Sequence, residues 1–191
     1  MAGAEPSGKL IMTAAEFLDW DGGGLVGKLE LVNGEVRAMS PPSSTHSLIQ
    51  ANLAYLTGKH LRDKKLPCRV GTKASVQPQL HANGNVRAPD LAVTCQPPSK
   101  GKVFPHPVLI ILSPSNRRET WESIHTMASI STLKEIIVVE SEKVHVEVYR
   151  RGQDGSWPLG GEVSEQAGKV RLTSIEAEFP ISEIYSGTYL S

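Results

Sequence analysis

Two acidic residues lie inside otherwise apolar segments that have the composition of β-strands. Asp90 follows Pro89 and leads directly into the apolar run Leu91-Ala92-Val93. A buried carboxylate is costly unless it is paired, hydrogen-bonded or bound to a metal. Glu30 lies between two leucines, and strict strand alternation turns its side chain away from both of them, towards solvent. A structural role for Asp90 and a solvent-facing position for Glu30 are the simplest interpretations, and a role in chemistry is the alternative.

If two strands bring these carboxylates together, they form a minimal oxygen site for Mg²⁺. Such an ion polarises a phosphodiester, stabilises charge on the leaving oxygen and lowers the pKa of a bound water. Metal-assisted phosphodiester hydrolysis is therefore the enzyme hypothesis that these residues favour. Hydrolysis by a serine triad is weaker, because the chain has no G-x-S-x-G elbow and Ser113 and Ser115 flank a proline that is typical of a turn.

The hydrophobic pattern predicts the elements that would position these acids. Thr13-Ala14-Ala15-Glu16 is a capping-box pattern for a helix over 14–20, and Asn33-Gly34 predicts a β-hairpin with strands over 28–32 and 35–39. A long helix is predicted to follow the serines at 43–44 and to end near Arg62. Strands are predicted over 69–77 and 86–93, and Pro89 places the second at a sheet edge or at a bulge.

The second half of the chain continues this mixture of strands and helices. It predicts an apolar strand over 108–112, a helix over 118–130, strands over 136–139 and 144–149, and short strands near Val163, 170–172 and Ile175. The order predicts an α/β (α+β) domain with one mixed sheet flanked by helices and an N-terminal β-hairpin. We expect residues 1–10 to be a flexible N-terminus and residues 11–191 to form one domain.

The composition limits the class of protein. The formal net charge of the 191 residues is zero, so the composition does not predict a strongly basic surface. Arg62-Asp63-Lys64-Lys65 and Arg117-Arg118 are nevertheless candidates for a local basic patch. Cys68 and Cys95 have no zinc-type spacing and are predicted to be reduced thiols. No segment is typical of export or of membrane spanning, so we expect a cytoplasmic protein with no membrane partner.

Several motifs occur along the chain in a fixed order. They are TAAEF, LELVNGEV, Ser40-Pro41-Pro42 followed by a helix with His46, APDLAV, ILSPSN and KEIIVVE. In this combination the chain resembles the bacterial family of putative restriction endonucleases, which is similar in fold to the PD-(D/E)XK nucleases. The resemblance extends from about Met12 to Tyr185. It implies a restriction endonuclease-like mixed sheet, DNA as the partner and a divalent ion, Mg²⁺ or Mn²⁺, as the cofactor.

The resemblance also assigns site residues. Asp90 matches the Pro-Asp motif of the family, and Glu30 matches the first acid of its hairpin motif, which implies that both are metal ligands and catalytic. In this family the strand before Leu-Ser-Pro-Ser carries a glutamate, and Ile110 holds that place here. The resemblance equally fits a stretch 107–113 that is about two residues shorter than the usual one, as though a hydrophobic residue and the glutamate had been deleted together. The auxiliary candidates are Glu35, which matches the second hairpin acid, His46 and Glu119.

An isoleucine supplies no oxygen, so we expect the metal site to lack one charged ligand and hydrolysis to be impaired. The first hypothesis is therefore a restriction-type, metal-dependent endonuclease of reduced activity. The alternative is an inactive pseudonuclease that binds nucleic acid or acts as an interaction module. A homodimer is a further expectation, because symmetric cutting of two strands favours a two-fold assembly; it rests on the fold and on no particular residue.

Overall fold

The structure, a computed structural model, describes residues 9–104, 107–112, 117–165 and 167–191, and the side chains of 108–119 lie outside that description. Within these residues lie a six-stranded mixed sheet, a two-stranded N-terminal hairpin and a two-stranded C-terminal sheet. The strands are Leu29–Val32 (β1), Glu35–Ala38 (β2), Arg69–Thr72 (β3), Leu91–Thr94 (β4), Pro107–Leu112 (β5), Glu135–Val139 (β6), Val146–Arg150 (β7), Glu162–Ser164 (β8), Lys169–Leu172 (β9) and Ala177–Pro180 (β10). The helices are Ala14–Asp19 (α1), Ser44–Asp63 (α2), Arg117–Met127 (α3) and Ile181–Ile184 (α4).

The main sheet has the strand order β3-β4-β5-β6-β7-β8. β5 and β6 are parallel and α3 connects them, whereas the other neighbouring pairs are antiparallel. Alternate residues of a strand point to opposite faces, so Leu91 and Val93 pack in the core that includes α2, while Ala92 packs in the core that includes α3. Both faces of the sheet are therefore covered, and the predicted α+β class is confirmed.

The two strongest local signals at the N-terminus are confirmed. Thr13 caps α1, and its backbone N–H donates to the Glu16 carboxylate over 2.7 Å while its hydroxyl accepts from the Glu16 N–H. Asn33 and Gly34 both have positive φ, 52° and 85°, as the tight turn between β1 and β2 requires. The hairpin is attached to the rest of the fold through Val86, which exchanges two backbone hydrogen bonds with Leu31, 2.9 and 3.0 Å long.

The edge position predicted from Pro89 is wrong. β4 lies inside the sheet, between β3 and β5, and begins only at Leu91. The residues before Pro89 have other partners, because Val86 pairs with the hairpin and Arg87 pairs with Val76. Pro89, which has no backbone N–H, thus lies between two pairings, where the chain needs no donor. The predicted strand over 86–93 is therefore two short segments.

The prediction of two reduced cysteines is wrong as well. Cys68 and Cys95 form a disulfide that closes a sequence separation of 27 residues. The register of the antiparallel pair β3–β4 places Arg69 opposite Thr94, so the next residues outward are the two cysteines. Their spacing in the sequence gave no sign of this pairing, which depends on the register of two strands.

A buried acid joins β6 to the C-terminal part of the chain. Glu135 is 1% exposed and accepts five hydrogen bonds, from the N–H and hydroxyl groups of Thr173 and Ser174 and from Nε of Arg150. Thr173 and Ser174 belong to a 3₁₀ turn, Thr173–Ile175, where the sequence predicted a strand near Ile175. The carboxylate satisfies the donors of that turn, which have no partner in a ladder.

These contacts predict a pH dependence of stability. Burial alone would raise the pKa of the Glu135 carboxyl, but hydrogen bonds from Ser174 and Thr173 lower this pKa below its ordinary value. The unfolded chain then binds the proton more tightly, so the stabilisation is complete above the ordinary glutamate pKa and is lost as pH falls through the lowered one. Unfolding free energies measured between pH 7 and pH 3 should show the difference between the native chain and Glu135→Gln shrinking below about pH 4.5. A difference that stays constant with pH would contradict this assignment.

Candidate active site

Asp90 lies at the point where the chain enters the main sheet. It is 8% exposed and directly precedes β4. Its backbone carbonyl accepts a hydrogen bond from the N–H of Lys73, at the end of β3, over 3.1 Å, and another from Nε2 of Gln50 on α2 over 2.9 Å. Two elements therefore fix the backbone of Asp90 and, with it, the direction of its carboxylate.

His46 provides the side-chain contact to Asp90. It lies in the first turn of α2, where the Ser43 hydroxyl accepts a hydrogen bond from the His46 N–H over 3.2 Å and caps the helix. Nε2 of His46 lies 3.1 Å from Oδ1 of Asp90, and both residues are buried. Nδ1 of His46 has no hydrogen-bond partner among the residues that the structure describes. The capped start of a long helix thus holds an imidazole against the acid of the Pro-Asp motif.

Glu30 lies in the interior, and the solvent-facing interpretation of its strand position is wrong. It is 5% exposed, and its carboxylate contacts Arg87 and Ala88, which follow Val86 in the segment that pairs with β1. Oε1 of Glu30 accepts a hydrogen bond from the N–H of Ala88 over 2.9 Å. Ala88 is two residues before Asp90, so the structure brings these two predicted site acids to the same short segment.

Arg87 is the site residue that the sequence reasoning missed. It is 5% exposed, and its Nη1 lies 3.4 Å from Oε2 of Glu30 while its Nη2 lies 3.4 Å from Oγ1 of Thr126 on α3. Burial lowers the pKa of the guanidinium and the Glu30 charge opposes that shift, but an arginine stays protonated under ordinary conditions. One signal could have identified it: a cation inside the apolar run VRAPDLAV needs a buried counter-ion.

The structure does not bring the other candidates to this place. The Glu35 carboxylate pairs with Nζ of Lys9 at 3.3 Å and with Nη2 of Arg37 at 3.5 Å, and it shows no contact with Asp90 or Glu30 within the described residues. The side chain of Glu119 lies outside the described residues. For Ile110 the backbone alone is described.

Ile110 of β5 pairs with Ala92 of β4 and with Ile136 of β6. Ala92 is two residues beyond Asp90, so position 110 lies in the strand next to the acid and near it in register.

Among the residues that the structure describes, the two acids do not belong to a complete metal site. Across the described parts of the chain, no group of three or more histidine, cysteine, aspartate or glutamate side chains is arranged to hold a metal ion. Glu30 accepts hydrogen bonds from Arg87 and Ala88, and Asp90 is held by His46. A divalent cation bound here would share these carboxylates with protein donors, and water or other groups would supply the rest of its oxygens.

The fold and the site together define a class, that of restriction endonuclease-like proteins. A crystal structure described as a putative nuclease belonging to DUF820, from Anabaena variabilis, superposes with a TM-score of 0.70 over 92% of this chain and 98% of that one, at 17% identity. The model of the Uma2 family, putative restriction endonuclease, matches residues 14–177, and the chain belongs to this family. An uncharacterised Synechocystis protein, slr1290, is 28% identical over 182 residues, which are 92% of each chain.

Restriction endonuclease-like proteins generally use divalent metal ions, whereas the described residues of this chain contain no group of three such ligands. Helix α2 has 20 residues, and no helix in the described part of the chain is both long enough and apolar enough to cross a membrane.

Proposed function

We propose that this chain is a restriction endonuclease-like protein that binds DNA and whose metal-dependent hydrolysis is strongly impaired. The observation that carries the proposal is the position of Ile110, opposite Ala92 and thus two residues from Asp90 in register, where the family resemblance implies a ligand glutamate and this chain has no side-chain oxygen. Without that charged ligand, two carboxylates remain, and electrostatic stabilisation is usually the largest contribution to such catalysis. The family membership supports a nucleic-acid partner.

The charges around the two acids support binding to a phosphate backbone. Nζ of Lys28 lies 3.7 Å from Oε1 of Glu30, and Lys73, whose N–H contacts Asp90, has an exposed side chain. Lys28 and Arg87 offset the negative charge of Glu30, and the exposed side chain of Lys73 is the cation of this group that can reach a phosphate. A duplex backbone is therefore not repelled at this place, although the formal charge of the whole chain is zero.

The residues that remain have assignable roles in such a protein. His46 orients the Asp90 carboxylate through Nε2, and Gln50 fixes the backbone of the same residue. Arg87 neutralises Glu30 and connects it to α3 through Thr126. These contacts fix the arrangement of the two acids, which supports a function in binding even where cutting is lost.

A plasmid nicking assay with Mg²⁺ or Mn²⁺ tests the loss of hydrolysis. We expect the native chain to nick at a trace level, Ile110→Glu to raise nicking by at least about tenfold because it restores a charged ligand, and Asp90→Ala to abolish this gain. Ile110→Gln is the matched control, since it is polar and of similar size but uncharged. Rapid cutting by the native chain, or cutting that survives Asp90→Ala, would contradict the proposal.

A gel shift over a range of salt concentrations tests DNA binding separately. Binding that weakens with salt, and that Lys73→Gln weakens further, supports a backbone contact at this site. Failure to bind DNA or RNA at low salt would leave the alternative, an interaction module that contacts other proteins. The homodimer remains a prediction.

A further inference from the structure

The contact between Glu30 and Arg87 differs from the surface ion pairs of the chain in its burial. Each of the two side chains is 6% exposed. Surface pairs such as Lys59 with Asp63 have side chains that are more than half exposed. Removing one partner of a buried pair leaves an uncompensated charge, so the two residues are held together much more strongly than a surface pair.

Both oxygens of the Glu30 carboxylate are used by protein donors. Oε1 accepts from the Ala88 N–H over 2.9 Å and also lies 3.7 Å from Nζ of Lys28, whereas Oε2 faces Nη1 of Arg87. The guanidinium cannot move away easily, because its Nη2 is also held at 3.4 Å from the hydroxyl oxygen of Thr126. That hydroxyl in turn donates to the backbone carbonyl of Glu122 over 2.7 Å, within α3. The positive charge is therefore built into the packing of α3 on the segment before β4.

A carboxylate cannot serve a guanidinium and a divalent cation at once without placing two positive charges beside each other. Arginine also cannot relieve the conflict by losing its proton. We propose that Glu30 is the counter-ion of Arg87 and is thereby withdrawn from metal binding, so that Arg87, with Lys28 beside Oε1, supplies the positive charge at this end of the site. This assignment rests on the proposed function, and it reverses the ligand role that the family resemblance implies for Glu30.

Titration of the protein with Mn²⁺, followed by the electron paramagnetic resonance signal of the free ion, tests this assignment without any cleavage assay. We expect the native chain and Glu30→Gln to show the same weak binding, because Glu30 contributes nothing to it. Arg87→Gln should bind Mn²⁺ at least about tenfold more tightly, since an opposite charge within about 4–6 Å changes the affinity of a carboxylate for a proton by ten- to a thousandfold. The double variant Glu30→Gln/Arg87→Gln should lose this gain.

Two further variants are matched controls. Arg37 lies opposite Glu30 in the register of the hairpin, but its guanidinium contacts Glu35, so Arg37→Gln removes a nearby charge without freeing Glu30 and should leave Mn²⁺ affinity unchanged. Arg87→Lys keeps the charge and should show no gain. An equal gain in Arg37→Gln or Arg87→Lys would overturn the inference, because the effect would then not depend on the charge that faces Glu30.

The remaining outcomes also decide the assignment. Mn²⁺ binding by the native chain that falls about tenfold in Glu30→Gln would overturn it, as would a folded Arg87→Gln with native Mn²⁺ affinity. If Arg87→Gln does not fold, the Mn²⁺ affinities of the native chain and of Glu30→Gln still show whether Glu30 is a metal ligand. Cutting of DNA by the native chain would contradict the proposed function and leave this comparison intact, whereas Glu30-dependent Mn²⁺ binding without cutting would contradict only the inference.

Discussion

Replacing Glu135 with glutamine is expected to lower the free energy of unfolding by about 3 to 5 kcal/mol, as when one partner of a buried charge network is removed. The carboxylate accepts hydrogen bonds from the N–H groups of Thr173 and Ser174, 2.9 and 2.8 Å long, and from Nε of Arg150 at 3.0 Å. An amide has the same size but turns an N–H₂ group towards some of these donors. Urea unfolding followed by circular dichroism measures the loss.

An exposed acid provides the matched control for this experiment. Glu178 on β10 pairs with Nζ of Lys169 at 2.8 Å and with Nη2 of Arg171 at 3.0 Å, but all three side chains are in contact with solvent. Exposed pairs contribute little, so Glu178→Gln should leave the unfolding midpoint within experimental error. If Glu135→Gln also left the unfolding midpoint unchanged, the 3₁₀ turn Thr173–Ile175 would not depend on the buried carboxylate for its attachment to β6.

The elements that the sequence predicted correctly depend on residues that are close in the chain. The capping box of α1 needs only Thr13 and Glu16, and the hairpin turn needs only Asn33 and Gly34, whose backbone angles local chemistry decides. The predicted start of α2 likewise depends on the hydroxyl of Ser43. These short-range interactions form whatever the rest of the fold is, so the elements that depend on them could be predicted from the sequence.

The features that the sequence did not predict depend on contacts between distant residues. The strand position of Glu30 indicates solvent when β1 is considered alone, whereas in the fold its carboxylate is buried against Arg87 and Ala88. Its partner Arg87 is 57 residues away. Neither the alternation of side chains along β1 nor the composition of the chain indicates a contact between residues so far apart in the sequence. The edge position predicted from Pro89 was wrong for the same reason, because the partners of Val86 lie outside the main sheet.

The candidate site was thus predictable in part. Asp90 could be singled out in the sequence because burying an acid in an apolar strand is costly. That position 110 lies near Asp90 follows only from the pairing of β4 with β5 in the structure. The family resemblance identified His46 as a candidate, and the structure gives it a definite contact, Nε2 to Oδ1 of Asp90. Ligand roles for Asp90 and Glu30 stay predictions, and the geometry of Arg87 argues against the second.

Removing the disulfide should lower the free energy of unfolding by about 3.5 kcal/mol at 25 °C, the loop-closure entropy expected for a separation of 27 residues. The variant Cys68→Ser/Cys95→Ser tests this by urea unfolding, in the presence and absence of dithiothreitol. The native chain treated with dithiothreitol should unfold at nearly the same urea concentration as the variant, and the variant itself should not respond to the reductant. Identical unfolding of the oxidised and reduced native chain would contradict the prediction.

The effect of reduction on the folded state should be greatest at β3. This strand is at the edge of the main sheet and has β4 as its neighbour there, so the bond between Cys68 and Cys95 closes one end of the ladder. The other end is closed by the hydrogen bond from Lys73 N–H to the Asp90 carbonyl, 3.1 Å long. Hydrogen exchange of the reduced chain should therefore accelerate at Arg69–Thr72 and at Lys73 but not in the buried β6. Faster exchange at Lys73 would show that the disulfide, at the opposite end of the ladder, helps to hold the backbone of Asp90 in place.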